Sequence, residues 1–147
     1  QGLDFSCIRK LKKIIKKEKP DIIHTHLYAI KYAILSTLFK KIKIVHTLHS
    51  VADKEANGRD RKFNKFFFKK GKAIPVALSE AVKETVVEVY KLKYQIPVVY
   101  NGIDLSRLIV KNDYDKKEKF VLINVARFSL PKNHLRLIDS FNLFNKK

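Results

Sequence analysis

Two cations in one loop are the residues of this sequence best suited to binding an anion. Arg127 and Lys132 lie between an apolar run and a helical pattern. An arginine can grip phosphate oxygens with two parallel N–H groups, a lysine adds a compact charge, and a helix N-terminus offers free backbone N–H groups. This combination predicts a diphosphate site. Spacing alone leaves a second interpretation open, in which two basic residues of a lysine-rich chain have no joint function.

Four histidines form a second candidate group. His24 and His26 occupy alternate positions of one β-forming segment, and His46 and His49 lie in and just after the next. Alternate residues of a strand share a face, so a zinc site can be imagined there. No cysteine or well-placed carboxylate completes the ligand set, and we therefore expect no metal. A histidine at a strand end is also often held by the backbone without a catalytic role.

Short β-forming runs alternate with longer helical runs along the chain. Apolar residues at helical spacing predict helices over residues 5–19, 28–40, 59–70, 80–90 and 135–144. Runs of β-forming residues predict strands over 22–26, 42–48, 73–78, 98–100 and 120–126. Strands that alternate with helices in this way predict an α/β fold with a parallel, Rossmann-like sheet.

The predicted sheet indicates where a ligand would bind. In open parallel sheets, ligands bind at the carboxyl ends of the strands. The residues at or just after those ends are His26, His49, Ser79, Arg127 and Lys132. Ser79 has a simpler explanation as well, because a serine before a helix is a common N-cap.

The segment Asn101-Gly102-Ile103-Asp104 predicts a domain boundary. Asn-Gly favours a tight turn, the strand pattern stops there, and a lysine-rich stretch over 111–119 without hydrophobic periodicity follows. We predict one domain over 1–104, a linker over 105–119 and the start of a second domain over 120–147. The chain contains no methionine and opens on the lead-in to a helix, so we expect an internal piece of a longer protein.

Composition narrows the class of protein and of partner. Hydrophobic residues make up 46% of the chain, which is too apolar for disorder. The formal charge of +18 favours polyanionic partners, although lysines that merely fill solvent-facing positions would give the same total. The single cysteine, Cys7, allows no intrachain disulfide, and no apolar run is long enough to span a membrane. A cytoplasmic protein is expected.

Five short motifs together resemble those of retaining glycosyltransferases of family 4 (group 1), which have the GT-B fold. In chain order they are PDIIHTH at 20–26, VHTLH at 45–49, ALSEAV at 77–82, VVYNGID at 98–104, and NVAR at 124–127 with PKNH at 131–134. Each motif alone is weak, and their order gives the resemblance its weight.

This resemblance implies two Rossmann-like halves that face each other across a cleft. Residues 1–104 would be the later part of the acceptor half, and residues from 120 would begin the half that binds the nucleotide-sugar. Arg127 and Lys132 match the family residues that contact the donor diphosphate. His26 matches a histidine that faces the reacting sugars, and His49 matches a second polar position near the acceptor. Asn101 and Gly102 would lie beside the cleft and its hinge.

The implied enzyme is a glycosyltransferase of the hexosyltransferase type. It would pass a sugar from a nucleotide-sugar to a glycan or lipid-linked acceptor with retention, in polysaccharide or glycolipid synthesis, with no cofactor or metal. Two departures are mild: Ala126 and Asn133 stand where the family usually or often has glycine. The family's glycine-rich loop and paired glutamates are expected before residue 1 and after residue 147, so this piece alone should be inactive.

Two other classes remain as alternatives. Phenylalanines among basic residues, at 63 and 66–68, would suit a nucleic-acid-binding module, but they also fit the buried face of a helix. The basic helix over 5–19 would suit docking on an anionic membrane surface, which is compatible with an enzyme resting on the inner leaflet. We expect a nucleotide-sugar and an acceptor as partners, and no nucleic acid.

Overall fold

The computed structural model describes residues 3–108 and 121–145. The chain divides into two compact units, Gln1–Asp104 and Leu105–Lys147. Each is considered by itself.

The first unit alternates helices and strands as the periodicity predicts. Its elements are α1 (Phe5–Glu18), β1 (Ile22–His26), α2 (Ala29–Ser36), β2 (Lys43–Leu48), α3 (Ala52–Glu55), α4 (Gly58–Lys69), β3 (Ala73–Ala77) and α5 (Glu80–Tyr90). The short helix α3 lies in what the sequence predicts to be a polar loop. The predicted helix over 28–40 is shorter than expected: it ends at Ser36, because the backbone of Thr37, with φ −121° and ψ 16°, leaves the helical conformation.

The three strands form one parallel sheet in the order β1-β2-β3. Thr25 lies opposite His46, and Thr47 lies opposite Val76. Because all three strands run in the same direction, their carboxyl ends meet at one edge. The α/β class with a parallel sheet is confirmed, and it is consistent with a fragment of a Rossmann-like glycosyltransferase.

Fully buried apolar side chains join the sheet to its helices. The largest include Ile34, Ile44, Leu48, Phe68 and Tyr90. The rings of Phe68 and Tyr90 meet edge to face with centroids 5.0 Å apart, which locks α4 against α5. No helix in the described ranges is both long and apolar enough to cross a membrane.

Two predicted apolar helix faces are only partly covered. In α4, Phe68 is buried and Phe63 and Phe67 pack against the core, whereas Phe66 is 55% exposed. This packing removes most of the aromatic surface on which the nucleic-acid alternative depended. In α1, Ile8 and Ile15 are buried, but other members of the predicted face, including Phe5 and Ile14, remain exposed.

The prediction of a strand and tight turn around residue 100 is wrong in detail. The strand over 98–100 is reduced to a single bridge, in which the N–H of Val99 donates to the carbonyl of Ala77 at 2.9 Å. Residues 101–104 form no turn, and Gly102 does not adopt a positive φ. A tight Asn-Gly turn is stabilised when strands pair on both sides of it, and here no paired strand follows within the described residues.

The second unit contains the 3-10 turns Leu105–Arg107 and Leu130–Lys132 and the helix α6 (His134–Asn145). The strand predicted over 120–126 is not formed at 121–126, and Phe120 lies outside the described residues. A strand needs a neighbour to accept and donate its hydrogen bonds, and the described part of this unit supplies none. The inward-facing side chains predicted for α6 are therefore exposed: Leu135, Leu137, Ile138, Phe141 and Phe144. The lysine-rich stretch over 111–119 lies outside the described residues.

Candidate functional site

His26 and His49 are in direct contact at the carboxyl edge of the sheet. His26 is the last residue of β1, and His49 follows β2 directly. The Nδ1 atom of His26 lies 2.8 Å from the Nε2 atom of His49, and both side chains are exposed to solvent. Two of the site residues that were predicted from their positions after parallel strands are therefore in contact in the structure.

The contact determines what the pair can offer to a substrate. A neutral imidazole carries one donor nitrogen and one acceptor nitrogen, so one of the two rings donates to the other. If Nδ1 of His26 accepts, its Nε2 carries a proton and can donate to a hydroxyl oxygen. If Nδ1 donates, Nε2 of His26 can accept a hydroxyl proton. Partial loss of solvation, followed by the nearby His24 and His49, lowers the pKa of His26, which favours these neutral forms.

His24 stands on the same strand face as His26. Their ring centroids are 4.4 Å apart, and Nε2 of His24 lies 2.8 Å from the hydroxyl oxygen of Thr47 on β2. This hydrogen bond fixes the ring of His24 beside that of His26. The predicted sharing of one face is confirmed. Within the described residues, no group of three histidine, cysteine or acidic side chains could hold a metal ion.

A buried polar layer lies on the opposite face of β1. The hydroxyl oxygen of Thr25 is 2.9 Å from Nδ1 of His46 and 3.2 Å from the carbonyl oxygen of Val45. His46 is completely buried, and this burial lowers its pKa to about 4. The sequence does not reveal which face of β2 is buried, so it gives no sign that His46 and His49 have such different surroundings.

Glu55, at the end of α3, is a functional candidate that sequence reasoning missed. Its Oε2 atom accepts from the backbone N–H of His49 at 3.3 Å and from the hydroxyl of Ser50 at 3.1 Å. The carboxylate thereby holds the segment that carries His49. Nothing in the spacing of Glu55 distinguishes it from the other charged residues of a polar loop, and only the fold brings it to the strand end.

The other predicted residues of the first unit have less informative surroundings. Ser79 follows β3, and its hydroxyl accepts from the N–H of Val82 at 3.2 Å, which makes it the N-cap of α5. Asn101 and Gly102 are exposed and belong to neither a helix nor a strand. Of the residues predicted in this unit, only His26 and His49 are thus joined by a direct contact.

The second unit places Arg127 and Lys132 ahead of a helix, as the sequence predicts. Both are exposed, and Lys132 ends the 3-10 turn that comes just before α6. Asn133 follows in the left-handed conformation, with φ 49° and ψ 46°. Asparagine tolerates this conformation better than most residues do, which explains how it can replace the glycine of the resembled motif.

A cavity of about 260 Å³ lies within the same loop. It is lined by Phe128, Ser129, Leu130, Asn133, His134 and Leu135. The ring of His134 meets that of Phe128 edge to face at 4.7 Å, and its Nδ1 atom is buried without a hydrogen-bond partner. Arg127 and Lys132 are therefore sequence neighbours of residues that line this cavity, whose walls are partly apolar and partly able to form hydrogen bonds.

Comparison with known proteins gives consistent matches. The profile of Glycosyltransferase Family 4 matches residues 1–107. The chain is 31% identical to a UDP-Gal:alpha-D-GlcNAc-diphosphoundecaprenol alpha-1,3-galactosyltransferase of Escherichia coli, over 93% of this chain and 40% of that protein. It is 25% identical to the capsular polysaccharide biosynthesis glycosyltransferase CapH of Staphylococcus aureus, over 97% of this chain and 41% of that protein.

A third relative is an uncharacterized glycosyltransferase of Methanocaldococcus jannaschii. It is 32% identical over 56% of this chain and 23% of its own length. The chain thus spans about two fifths or less of the curated relatives it matches. The family match covers most of the chain and includes His26 and His49. The chain belongs to glycosyltransferase family 4.

Proposed function

We propose that the protein transfers a sugar from a nucleotide-sugar to a glycan or lipid-linked acceptor in polysaccharide or glycolipid synthesis. The contact between His26 and His49, at the carboxyl edge of the sheet of a family 4 chain, is the observation that carries this proposal. The names of two relatives support the substrate class, since one acts on a diphosphate-linked lipid and the other in capsule synthesis.

His26 is the residue that would meet the acceptor. A neutral ring that can donate or accept through Nε2 can orient an acceptor hydroxyl and polarise its O–H bond. His49 would select the tautomer by holding Nδ1. Under the proposed division, residues 1–104 form the later part of an acceptor-binding domain of the GT-B type. Ser79, Asn101 and Gly102 would line its cleft.

Arg127 and Lys132 would bind the donor diphosphate. Their charges would offset the negative charge that grows on the nucleoside diphosphate as the glycosidic bond breaks, an effect that is larger in the transition state than in the ground state. Residues 120–147 would then begin the donor domain, with 105–119 as the linker. Transfer with retention would form the new bond on the face from which the diphosphate leaves.

The test is to express the full reading frame and to screen nucleotide-sugars for transfer to a lipid-linked acceptor. Arg127→Ala and Lys132→Ala are expected to lower turnover by roughly tenfold to a thousandfold, since each removes charge stabilisation from the leaving group. Arg136→Ala, which changes an exposed arginine on α6, is the matched control and should retain full activity. Full activity in both loop variants would contradict the assignment of the diphosphate site.

We propose further that the protein rests on an anionic membrane surface, on its cytoplasmic side. A groove that contains no acidic side chain is lined by Lys16, Lys19, Lys40 and Lys41, together with Ile15, Pro20 and Ile42. Beside it in the chain, Phe39 is 96% exposed. The adjacent helix α1 adds an exposed basic surface, and such lysines contribute about 1 kcal/mol each near anionic lipid.

Vesicle flotation tests the proposal that the protein docks on an anionic membrane. Phosphatidylglycerol vesicles should bind the full-length protein in a salt-sensitive way, and Lys16→Glu with Lys41→Glu should weaken binding by roughly a hundredfold. Lys93→Glu, which reverses an exposed charge elsewhere, is the control and should have little effect. Equal binding to neutral vesicles would refute membrane docking.

Thermal unfolding tests the nucleic-acid alternative. Stronger thermal protection by DNA or RNA than by nucleoside diphosphates would favour that alternative.

A further inference from the structure

The carboxylate of Glu55 lies between two histidines that have different surroundings. Its Oε2 atom binds the segment of His49 and Ser50, and its Oε1 atom faces Nε2 of His46 at 4.0 Å. The side chains of Glu55 and His46 are only 3% and 1% exposed. Neither Oε1 nor Nε2 has a hydrogen-bond partner. Two buried, complementary polar atoms thus point at each other across a gap of about one ångström beyond hydrogen-bond length.

The hydrogen bonds around His46 determine whether its ring carries a proton on Nε2. The low pKa of His46 keeps its ring neutral near pH 7. If the hydroxyl of Thr25 donates to Nδ1, the ring must carry its only proton on Nε2, where it points at Glu55. The alternative, in which Thr25 donates to the carbonyl of Val45, would leave an acceptor nitrogen facing a carboxylate. Only the first arrangement offers a donor to the buried Oε1.

We propose that Glu55 is a positioning residue for the histidine pair. It anchors the backbone of His49 through Oε2 and takes its own position from the buried His46 through Oε1. The ring of His49 then holds Nδ1 of His26 at 2.8 Å. A chain of contacts therefore runs from the buried layer of the sheet to the exposed ring that the proposed function assigns to the acceptor, and the catalytic part of this inference rests on that function.

The energetic consequence of removing Glu55 follows from its partners. Without the carboxylate, the N–H of His49 and the hydroxyl of Ser50 lose their acceptor, and Nε2 of His46 no longer faces a negative charge. The segment after β2 would then move to reach solvent. A displacement of about 1 Å at a reacting group can cost on the order of a hundredfold in rate.

Two variants of Glu55 and one of Asp53 test the proposal in the full-length protein. Glu55→Ala removes both acceptor atoms, whereas Glu55→Gln keeps one oxygen for the segment of His49 and Ser50. Asp53→Ala is the matched control, because Asp53 lies on the same helix as Glu55 but forms its ion pair with Arg61 of α4, outside the network. The direct readout is the ring signals of His26 and His49 in histidine-labelled NMR spectra, assigned with His26→Asn and His49→Asn.

We expect the two ring signals to shift in Glu55→Ala, to shift less in Glu55→Gln and to remain unchanged in Asp53→Ala. Turnover should fall by about tenfold to a hundredfold in Glu55→Ala and recover partly in Glu55→Gln, without a change in donor affinity. Unchanged ring signals in Glu55→Ala would overturn the proposal. If that variant does not fold, unchanged signals in Glu55→Gln with unchanged turnover would do so.

The outcome can be separated from the fate of the proposed function. If the ring signals shift but the unmodified protein transfers no sugar, the proposed function fails and the positioning role of Glu55 stands. If transfer is observed and depends on His26, but the ring signals of Glu55→Ala equal those of the unmodified protein, the function stands and the positioning role fails.

Discussion

Nδ1 of His26 lies 2.8 Å from Nε2 of His49, although the two residues are 23 positions apart in sequence. The parallel pairing of β1 and β2 sets this distance, because His26 lies opposite Thr47 and His49 follows two residues later. A single proton occupies the contact when both rings are neutral. Partial loss of solvation, and then the nearby His24 and His49, lower the pKa of His26, so the ring of His26 resists protonation.

The first prediction concerns the two members of this pair. His26→Ala should lower transfer by at least roughly a hundredfold, since it removes the group that would meet the acceptor hydroxyl, whereas His49→Ala should cost less, about tenfold, since it only frees the ring of His26. Initial rates with saturating donor and varied acceptor provide the measurement. His24→Ala, which removes the neighbouring ring but not the pair, serves for comparison. A larger loss in His49→Ala than in His26→Ala would reverse the assigned roles.

The second prediction is a loss of stability on acidification. The pKa of His46 falls from 6.5 in the unfolded chain to about 4 in the fold because the ring is buried. The unfolded chain therefore binds more protons between these values, and stability that is fully present above pH 6.5 is lost as the pH falls towards 4. The loss amounts to roughly 3 kcal/mol. The lowered pKa of His26 acts in the same direction.

Urea unfolding at pH 7 and pH 4.5 would measure this loss. His46→Asn keeps an amide near Thr25 but cannot titrate, so its free energy of unfolding should differ less between the two pH values. An equal difference in the variant and the unmodified protein would assign the acid sensitivity to other groups.

Periodicity predicts most elements of the first unit, because they bury regular apolar faces; the short helix α3 and the unformed strand over 98–100 are the exceptions. The helix before Pro20, the strand with His24 and His26, and the cap at Ser79 are all found within a few residues of their predicted bounds. The tertiary contacts follow from strand register and helix docking, which periodicity does not predict. The roles of His46 and Glu55 depend on that register, so no sequence pattern singles them out.

The failures at residues 98–104 and 121–126 share one physical cause. A β-forming run becomes a strand only when a neighbour accepts its hydrogen bonds, and the Val98 segment finds one bridge to Ala77 while the Val125 segment finds no partner among the described residues. Both runs do consist largely of β-forming residues. The partner that propensity requires cannot be read from the same few residues.

The third prediction uses the strained residue that follows His26. Leu27 has φ 51°, a left-handed conformation that costs a residue with a side chain about 1–2 kcal/mol, and its side chain is 53% exposed. Leu27→Gly should relieve this strain and raise the free energy of unfolding by about 0.5–1 kcal/mol, after the greater flexibility of glycine in the unfolded chain is subtracted. Leu27→Ala keeps the strain and should show no gain. Denaturant unfolding of both variants is the measurement, and a gain in alanine but not in glycine would contradict the strain.

The last prediction concerns a lysine that ties the start of β2 to β3. Nζ of Lys72 donates to the carbonyls of Thr37 and Lys40 at 2.7 Å and of Ile42 at 3.1 Å, and partial burial lowers its pKa. Lys72→Met keeps roughly the length of the side chain but leaves three carbonyls without this donor, so the free energy of unfolding should fall by about 1–3 kcal/mol. Lys70→Met, an exposed lysine nearby, should change it by less than about 0.5 kcal/mol. Equal effects of the two substitutions in thermal and urea unfolding would mean that the three contacts contribute nothing beyond a surface charge.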